Sequence, residues 1–380
     1  MDTKNINQEI NRCLGCKAKP CEKACPLHVS PQEFIALAKA GYFTAAANSI
    51  IKKNPLPQTC GLICPDYLCQ KPCIRQRIDT AIEIPCLQAE IMRRGGYPEL
   101  TLPPKINKKA AIIGGGPAGI GALAELLSAG WLVDIYDQAS FLGGAARLIP
   151  EHRLPKSVLD YEINRLIAND RVTLFLNRRV TDYEHLKTQY DGVILALGET
   201  SHRSLGIKGD EYSIPYTRYL THPGQYKGRK IAVSGGGEVA FDCAITAKKH
   251  GFEDVEIFVR RRREDMRIMA RDQLELQRSG IIVHDLSSIT EIKQSPQSLT
   301  LSIIKNCLNS AGKAEAVIGT EAVLSGYDYV IEALGSYFPQ EEIPSGFLLA
   351  GDMIERSGTV VQALASGKLA AQRLISGEKV

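Results

Sequence analysis

Twice in this 380-residue chain a short apolar strand runs straight into a glycine-rich turn and then a helix. Ala110–Ile113 leads into Gly114-Gly115-Gly116-Pro117-Ala118-Gly119, a helix of small and apolar residues continues to Ala129, and the strand Leu132–Tyr136 closes the unit. Lys230–Ser234 leads into Gly235-Gly236-Gly237, followed by a helix over Glu238–Lys249 and a strand over Val255–Val259. Each is a βαβ unit, and two of them commit most of the chain to parallel sheets covered by helices. A third apolar strand, Phe347–Ala350, ends at Gly351-Asp352 and precedes a helix over Val360–Ser376.

The spacing of the glycines points to a ligand class. In Gly114-x-Gly116-x-x-Gly119 the first glycine makes the tight turn, the second admits a pyrophosphate to the backbone, and the third packs helix on strand. Free N–H groups and the dipole at the helix start favour the anion. Asp137, at the end of the next strand, is placed to accept from ribose hydroxyls. The second loop reads Gly235-x-Gly237-x-x-Ala240, and its strand ends in Val259-Arg260-Arg261-Arg262-Arg263 instead of an acid. A carboxylate there would repel a 2′-phosphate, whereas arginine binds one bidentately, so this site reads as one for NADPH in preference to NADH. Arg262 and Arg263 read as solvated surface.

Nine of the eleven cysteines lie between Cys13 and Cys86. They run Cys13-x2-Cys16-x4-Cys21-x3-Cys25-Pro26, then Cys64-x4-Cys69-x3-Cys73, with Cys60 just upstream. Thiolates so spaced converge on a metal or a cluster, and a run ending in Cys-Pro commonly lends its last cysteine to a second cluster. Two four-cysteine zinc sites would use the same eight thiols, so spacing alone leaves zinc and iron–sulfur both open. The nicotinamide signal downstream favours iron–sulfur, since zinc carries no electrons. A disulfide scaffold would spread its cysteines through a small secreted fold. Met1–Ile10 is polar with no apolar core, so no secretory leader is expected and the chain reads as cytoplasmic. No run of about 20 apolar residues suggests a membrane span. Lys and Arg number 46 against 42 Asp and Glu, too balanced for a nucleic-acid or membrane-surface partner.

Between the cysteines, Pro31–Ala47 and Ile82–Arg93 have apolar residues at helical spacing, and Gly95–Lys109 reads as a linker. The seven histidines are scattered without a pair at ligand spacing, and there is no Gly-x-Ser-x-Gly elbow and no P-loop. The nucleotide regions carry no Cys-x-x-Cys, and Cys243 and Cys307 read as inert thiols.

The order of these motifs resembles one family: the flavin- and iron–sulfur-containing, NAD(P)H-oxidising subunits. Its members include the small subunit of glutamate synthase, the N-terminal half of dihydropyrimidine dehydrogenase and the matching bacterial pyrimidine dehydrogenase subunit. The resemblance covers nearly the whole chain. It rests on Cys13-Leu14-Gly15-Cys16 to Cys25-Pro26, Thr59-Cys60-Gly61-Leu62-Ile63-Cys64-Pro65, Gly114 to Gly119, Gly143-Gly144 with Ile149-Pro150-Glu151 and Arg153-Leu154-Pro155, Gly235-Gly236-Gly237 with Asp242-Cys243-Ala244, and Ala350-Gly351-Asp352.

The resemblance implies two [4Fe–4S] clusters, one on Cys13, Cys16, Cys21 and Cys73, the other on Cys25, Cys64 and Cys69 with a glutamine. The segment Ile82 to Gln88 places that glutamine at Gln88, where a count of thiols would choose Cys60 and where Cys86 lies two residues away. It implies FAD at the first loop, with Gly144 and Arg147 at the phosphates or ribityl chain, Gly351 and Asp352 at the ribityl chain, and the helix from Val360 over the isoalloxazine. Arg260, Arg261 and Arg267 match positions that bind the 2′-phosphate. The fold class implied is α/β, a helical iron–sulfur domain (1–95) and a linker (96–108) preceding two Rossmann-like domains. The FAD domain would be discontinuous, 109–225 plus 331–380, with the NAD(P)H domain 226–330 inserted and the strand Tyr329–Ala333 returning the chain. The implied activity is electron input: NADPH oxidation, FAD reduction, and single electrons leaving through the clusters to a partner subunit or ferredoxin, with no catalytic side chain required. A transhydrogenase subunit passing electrons from NADPH to ferredoxin is the alternative enzyme, and a zinc-binding scaffold the alternative outside enzymes.

Overall fold

A computed structural model describes residues 3–199, 201–339, 345–354 and 358–378. The chain forms two compact units, one of Met1–Arg147, Glu151–Glu199 and Phe338–Val380, the other of Leu148–Pro150 and Thr200–Tyr337.

The first unit opens with short helices: α1 (Thr3–Arg12), α2 (Pro31–Lys39), α3 (Phe43–Ile51), α4 (Pro57–Ile63) and α5 (Ile84–Gly95). The single helix expected over Pro31–Ala47 is therefore two. Gly41, at φ +85°, stops α2. The N–H of Tyr42 closes back on Leu37 O at 2.9 Å and that of Gly41 on Ala38 O at 3.0 Å, the paired bonds of a Schellman stop. Phe34, Ile35, Ala46, Ala47, Ile50, Leu56, Leu87 and Ile91 bury the apolar faces of α2 to α5. The segment expected as a linker is strapped down: Arg165 donates to Pro98 O at 2.8 Å and Ile106 N–H to Gly130 O at 3.0 Å.

Downstream stand β1 (Lys109–Ile113), α6 (Pro117–Ser128), β2 (Leu132–Tyr136), α7 (Lys156–Ile167), β3 (Val172–Phe175) and β4 (Gly192–Leu195). The sheet is parallel throughout, in the order Leu348–Leu349, β4, β1, β2, β3. The C-terminal helix, Val360–Ser376, crosses α6 almost backbone to backbone. A Cβ on Gly367 would stand 1.8 Å from Ala118 O, and one on Gly121 2.2 Å from Leu364 O.

The second unit holds β5 (Ile214–Pro215), β6 (Lys230–Ser234), α8 (Glu238–Lys249), β7 (Asp254–Phe258), β8 (Ile282–His284), β9 (Ser287–Gln294), β10 (Leu299–Leu308), β11 (Ala322–Tyr327) and β12 (Tyr329–Glu332). Its parallel sheet has the order β5, β12, β6, β7, β8. An antiparallel layer, β9 to β11, packs Ile289, Ile292, Leu301, Ile303 and Tyr327 against Ala232 and Phe258. The strand at Tyr329 does not return the chain to the first domain as expected. It pairs with β6, Tyr329 opposite Ile231, and β5 pairs outside it. The unit is accordingly wider than 226–330. Glu332 accepts the Leu205 N–H at 2.8 Å, and Tyr216 hydrogen-bonds Ser336 at 2.6 Å.

Candidate cluster and dinucleotide sites

The segment after α1 carries Cys13, Cys16 and, in the short helix Pro20–Lys23, Cys21, and Cys73 arrives from the segment after α4. All four line one cavity, with Leu14, Gln32 and Ile35 among its walls. Two polar contacts fix its frame: Gln32 donates to Gly15 O at 3.1 Å, and Arg75 to Arg12 O at 3.2 Å. Burial pushes the Cys21 thiol up to about 11 and raises Cys13. These thiols are thus protonated when free, and a metal or cluster bound by them would release their protons.

Cys25, Cys64 and Cys69 stand close enough to raise one another's thiols, and Cys60 joins them. A hydrogen bond donated to Cys60 and then burial hold the Cys64 thiol well above its usual range. Cys69 also feels Cys21 and Cys73, so the two thiol sets are neighbours. Gln88 is buried on α5 and donates its Nε2–H to Pro57 O at 2.6 Å. A carbonyl only accepts, which fixes the amide's orientation. The Oε1 atom accepts no hydrogen bond from the described residues and stays open to a ligand. Cys86 is half-buried and Cys60 buried.

A residue no motif announced supports this domain. Glu162, fully buried on α7, accepts the N–H groups of Gln58 (2.7 Å) and Thr59 (3.0 Å) and the Tyr97 hydroxyl (2.6 Å). It caps α4, whose own N-cap, Leu56, supplies no side-chain bond.

At the first glycine loop a Cβ on Gly114 would lie 2.2 Å from Ala196 O, and Gly235 repeats the relation with Ala333 O at 2.3 Å. Gly116 and Gly237 have no such obstruction: only Gly144 Cα comes within 4 Å of the first, and nothing within 4 Å of the second. Both loops thus leave a helix N-terminus open to an anion, with Gly119 and the buried Ala240 packed behind. Asp137 accepts the N–H groups of Gly115 (2.7 Å) and Ala139 (2.8 Å). Its carboxylate retains acceptor capacity for a ribose hydroxyl. Arg147 is committed to Leu142 O, to Asp160 at 2.5 Å and to the Phe141 face. Gly351 lies against Ala118 and donates its N–H to Ser366 at 2.9 Å. Asp352 accepts the Gly358 N–H at 3.3 Å, and Thr359 caps the helix beginning at Val360. Residues from the loop, Gly351 and the C-terminal helix therefore gather in one place.

In the second unit the Arg267 N–H donates to Gly236 O at 2.8 Å, and Val259, just before Arg260, packs at Gly236. Arg260 and Arg267 thus flank the loop. Arg262 is tied to Asp265 at 2.9 Å, whereas Arg260, Arg261 and Arg267 have no carboxylate partner among the described residues. Among the described residues no helix is long and apolar enough to cross a membrane.

Two dinucleotide-type units and a helical head bearing two thiol sets define a metal- or cluster-bearing protein of the two-dinucleotide class. Residues 1–95 match the family described as dihydropyrimidine dehydrogenase domain II, 4Fe-4S cluster, and residues 108–337 match pyridine nucleotide-disulphide oxidoreductase. The first match decides between zinc and iron–sulfur. The chain belongs to the family of NAD(P)H-dependent flavin and iron–sulfur oxidoreductase subunits. It is 30% identical over 386 residues to the NAD-dependent dihydropyrimidine dehydrogenase subunit PreT of Escherichia coli K12, covering 97% of this chain and 93% of the relative. It is 29% identical over 284 residues to the glutamate synthase [NADPH] small chain of Halomonas elongata, covering 68% of this chain and 60% of that one. Among solved structures, FprA of Mycobacterium tuberculosis in complex with NADPH shares the fold at a TM-score of 0.59 and 18% identity, covering 71% of this chain and 84% of that one.

Proposed function

We propose that this chain is the electron-input subunit of a larger oxidoreductase, taking electrons from NADPH and delivering them singly to a partner protein. The observation that carries the reading is the cavity lined by Cys13, Cys16, Cys21 and Cys73 within the same compact unit as the first glycine loop. Cys13, Cys16, Cys21 and Cys73 would hold one [4Fe–4S] cluster, and Cys25, Cys64, Cys69 and Gln88 a second. Gly114, Gly116, Gly144 and Gly351 would let FAD approach the backbone, with Asp137 on its ribose. FAD, when bound, supplies the conversion between a two-electron donor and one-electron acceptors. The chain's part is to bind and align, so no side chain is assigned as acid or base.

The two relatives differ in the nicotinamide they are named for, NAD in one and NADPH in the other. Arg260, Arg261 and Arg267, all free of carboxylates, favour the 2′-phosphate here. Anaerobic titration of the purified protein tests the reading. NADPH is expected to bleach the flavin absorbance and then the broad iron–sulfur shoulder, with NADH less effective. A protein that shows neither absorbance, or keeps both unchanged under NADPH and NADH, overturns it.

A further inference from the structure

The net positive charge of this chain falls in its N-terminal segment. Residues 1–95 carry 13 Lys and Arg against 8 Asp and Glu, while the remaining 285 carry 33 against 34. Of the acids close in sequence to the first thiol cavity, Glu33 and Glu83 are exposed without a cation partner among the described residues, and two others are already occupied. Asp79 is held by Arg12 (2.9 Å) and Arg75 (2.7 Å), and Glu22 by Lys19 (3.1 Å). Lys17, Lys23, Lys71 and Arg77 are exposed and have no carboxylate partner among the described residues. Each is close in sequence to a wall of the cavity: Lys17 follows Cys16, Lys23 lies two residues past Cys21, Lys71 lies two before Cys73, and Arg77 ends the turn that starts at Ile74. Two large apolar side chains accompany them, Leu14 (45% exposed), itself in the cavity wall, and Ile78 (65% exposed).

We propose that the mouth of the cavity lined by Cys13, Cys16, Cys21 and Cys73 is the docking face for an acidic electron-accepting protein. The inference rests on the reading of this chain as an electron-input subunit. Leu14 and Ile78 supply an apolar contact, and the unpaired cations supply the charged rim usual around one. A positive rim steers an acidic partner toward the face, raising the association rate by roughly 10- to 1,000-fold at low salt, and the effect fades as salt screens it. An exit here brings the acceptor to the thiol set nearest that surface. The four cations spread over both chain segments that build the site, so seating on them orients the partner over the cavity instead of beside it.

The test uses the full holoprotein with NADPH and two acceptors: ferricyanide, which needs no docking, and an acidic plant-type [2Fe–2S] ferredoxin. The Lys17→Glu/Arg77→Glu double variant is expected to reduce ferricyanide within about twofold of wild type and ferredoxin about tenfold more slowly at low salt. Wild-type ferredoxin reduction should fall steeply with ionic strength, and the variant's should not. Lys313→Glu, an exposed cation of the other unit, serves as a charge control and should leave both rates unchanged. Ile78→Asp should also slow ferredoxin alone. A variant that reduces ferredoxin at the wild-type rate overturns the docking face, as does wild-type protein that reduces ferricyanide but not ferredoxin. A loss equal at all salt concentrations also overturns it, because that marks a changed potential and not a lost encounter. Failure of wild-type protein with ferricyanide instead overturns the electron-input reading itself.

Discussion

The Glu162 carboxylate accepts the backbone N–H of Thr59 at 3.0 Å across 103 residues of chain. With the Gln58 N–H on its other oxygen, it satisfies donors that α4 cannot satisfy itself, and it places negative charge at the positive end of the helix. The helix so held leads directly into Cys64. Replacing Glu162 with Gln turns an amide NH2 toward backbone donors, leaving one buried N–H unpaired at a cost of about 1–3 kcal/mol. Glu162→Gln should lower the melting temperature and hasten bleaching of the cluster absorbance on mild heating. An unchanged melting curve would show that the cap contributes nothing.

In the proposed two-cluster arrangement Gln88 and Cys60 are the candidates for the eighth ligand, and both lie on or against α4. The free Oε1 of Gln88 favours the amide. Gln88→Ala should change the absorbance and EPR signature of one cluster and leave the other, while Cys60→Ala should leave both. An amide oxygen in place of a thiolate makes a cluster less negative, so Gln88→Cys should lower that cluster's potential. Iron loss in Cys60→Ala with none in Gln88→Ala would reverse the assignment.

Arg260 and Arg267 flank the second glycine loop, and each arginine without a carboxylate partner is available to a phosphate. Arg260→Ala should raise the KM for NADPH by one to two orders of magnitude, since a charge-assisted phosphate contact contributes roughly 1.5–3 kcal/mol. The KM for NADH should barely move. Equal losses for both nucleotides would remove Arg260 from the 2′-phosphate site.

The glycine loops and flanking strands were legible because both carry short-range signals. Helices at Glu238–Lys249 and Val360–Ser376 and strands at Leu132–Tyr136 and Lys230–Ser234 stand where sequence periodicity puts them. The Gly41 stop inside Pro31–Ala47 was present in sequence but outweighed by the alanine run around it. The strand at Tyr329 was misplaced because its partner is chosen by register with β6, which no local pattern encodes. The two units also share a repeat. Tyr190 to Gly198 and Tyr327 to Gly335 share seven of nine residues. In both, the Asp accepts the N–H of the lysine opening the first strand, Asp191 from Lys109 and Asp328 from Lys230, each at 2.8 Å. In both, that lysine also pairs with a buried acid on the next strand, Asp134 or Glu256. Glu162 gave no signal, for a lone Glu on a helix is ordinarily solvated.

The crossing of α6 with the C-terminal helix leaves no room for a methyl group at Gly367, where Ala118 O stands 1.8 Å from the Cβ position. Gly367→Ala must push the helices apart, with an overpacking cost of about 1–3 kcal/mol. Ala118 follows Pro117 at the start of α6 and also touches Gly351, so the displacement reaches the residues proposed to hold FAD. Flavin content per chain after purification should drop, with NAD(P)H binding to the second unit retained. Full flavin occupancy in Gly367→Ala would show that the helix crossing and the flavin site are independent.

Glu256 is buried in the second unit and bonded on three sides, to His284 (2.7 Å), Tyr327 (2.7 Å) and Lys230 (3.0 Å). Burial works to raise its pKa, but these bonds prevail and bring it to about 2. The unfolded carboxyl titrates near ~4.3. A depressed folded pKa adds stability above the unfolded value, and the gain is lost as pH falls from about 4.3 to about 2, where the native carboxylate must also take a proton. The gain is on the order of 2–3 kcal/mol at neutral pH. Glu256→Gln should be less stable than wild type at pH 7 and should show a shallower loss of stability across that acid window. Thermal unfolding followed from pH 7 to 2 compares them, and parallel curves would show that Glu256 is not the titrating group.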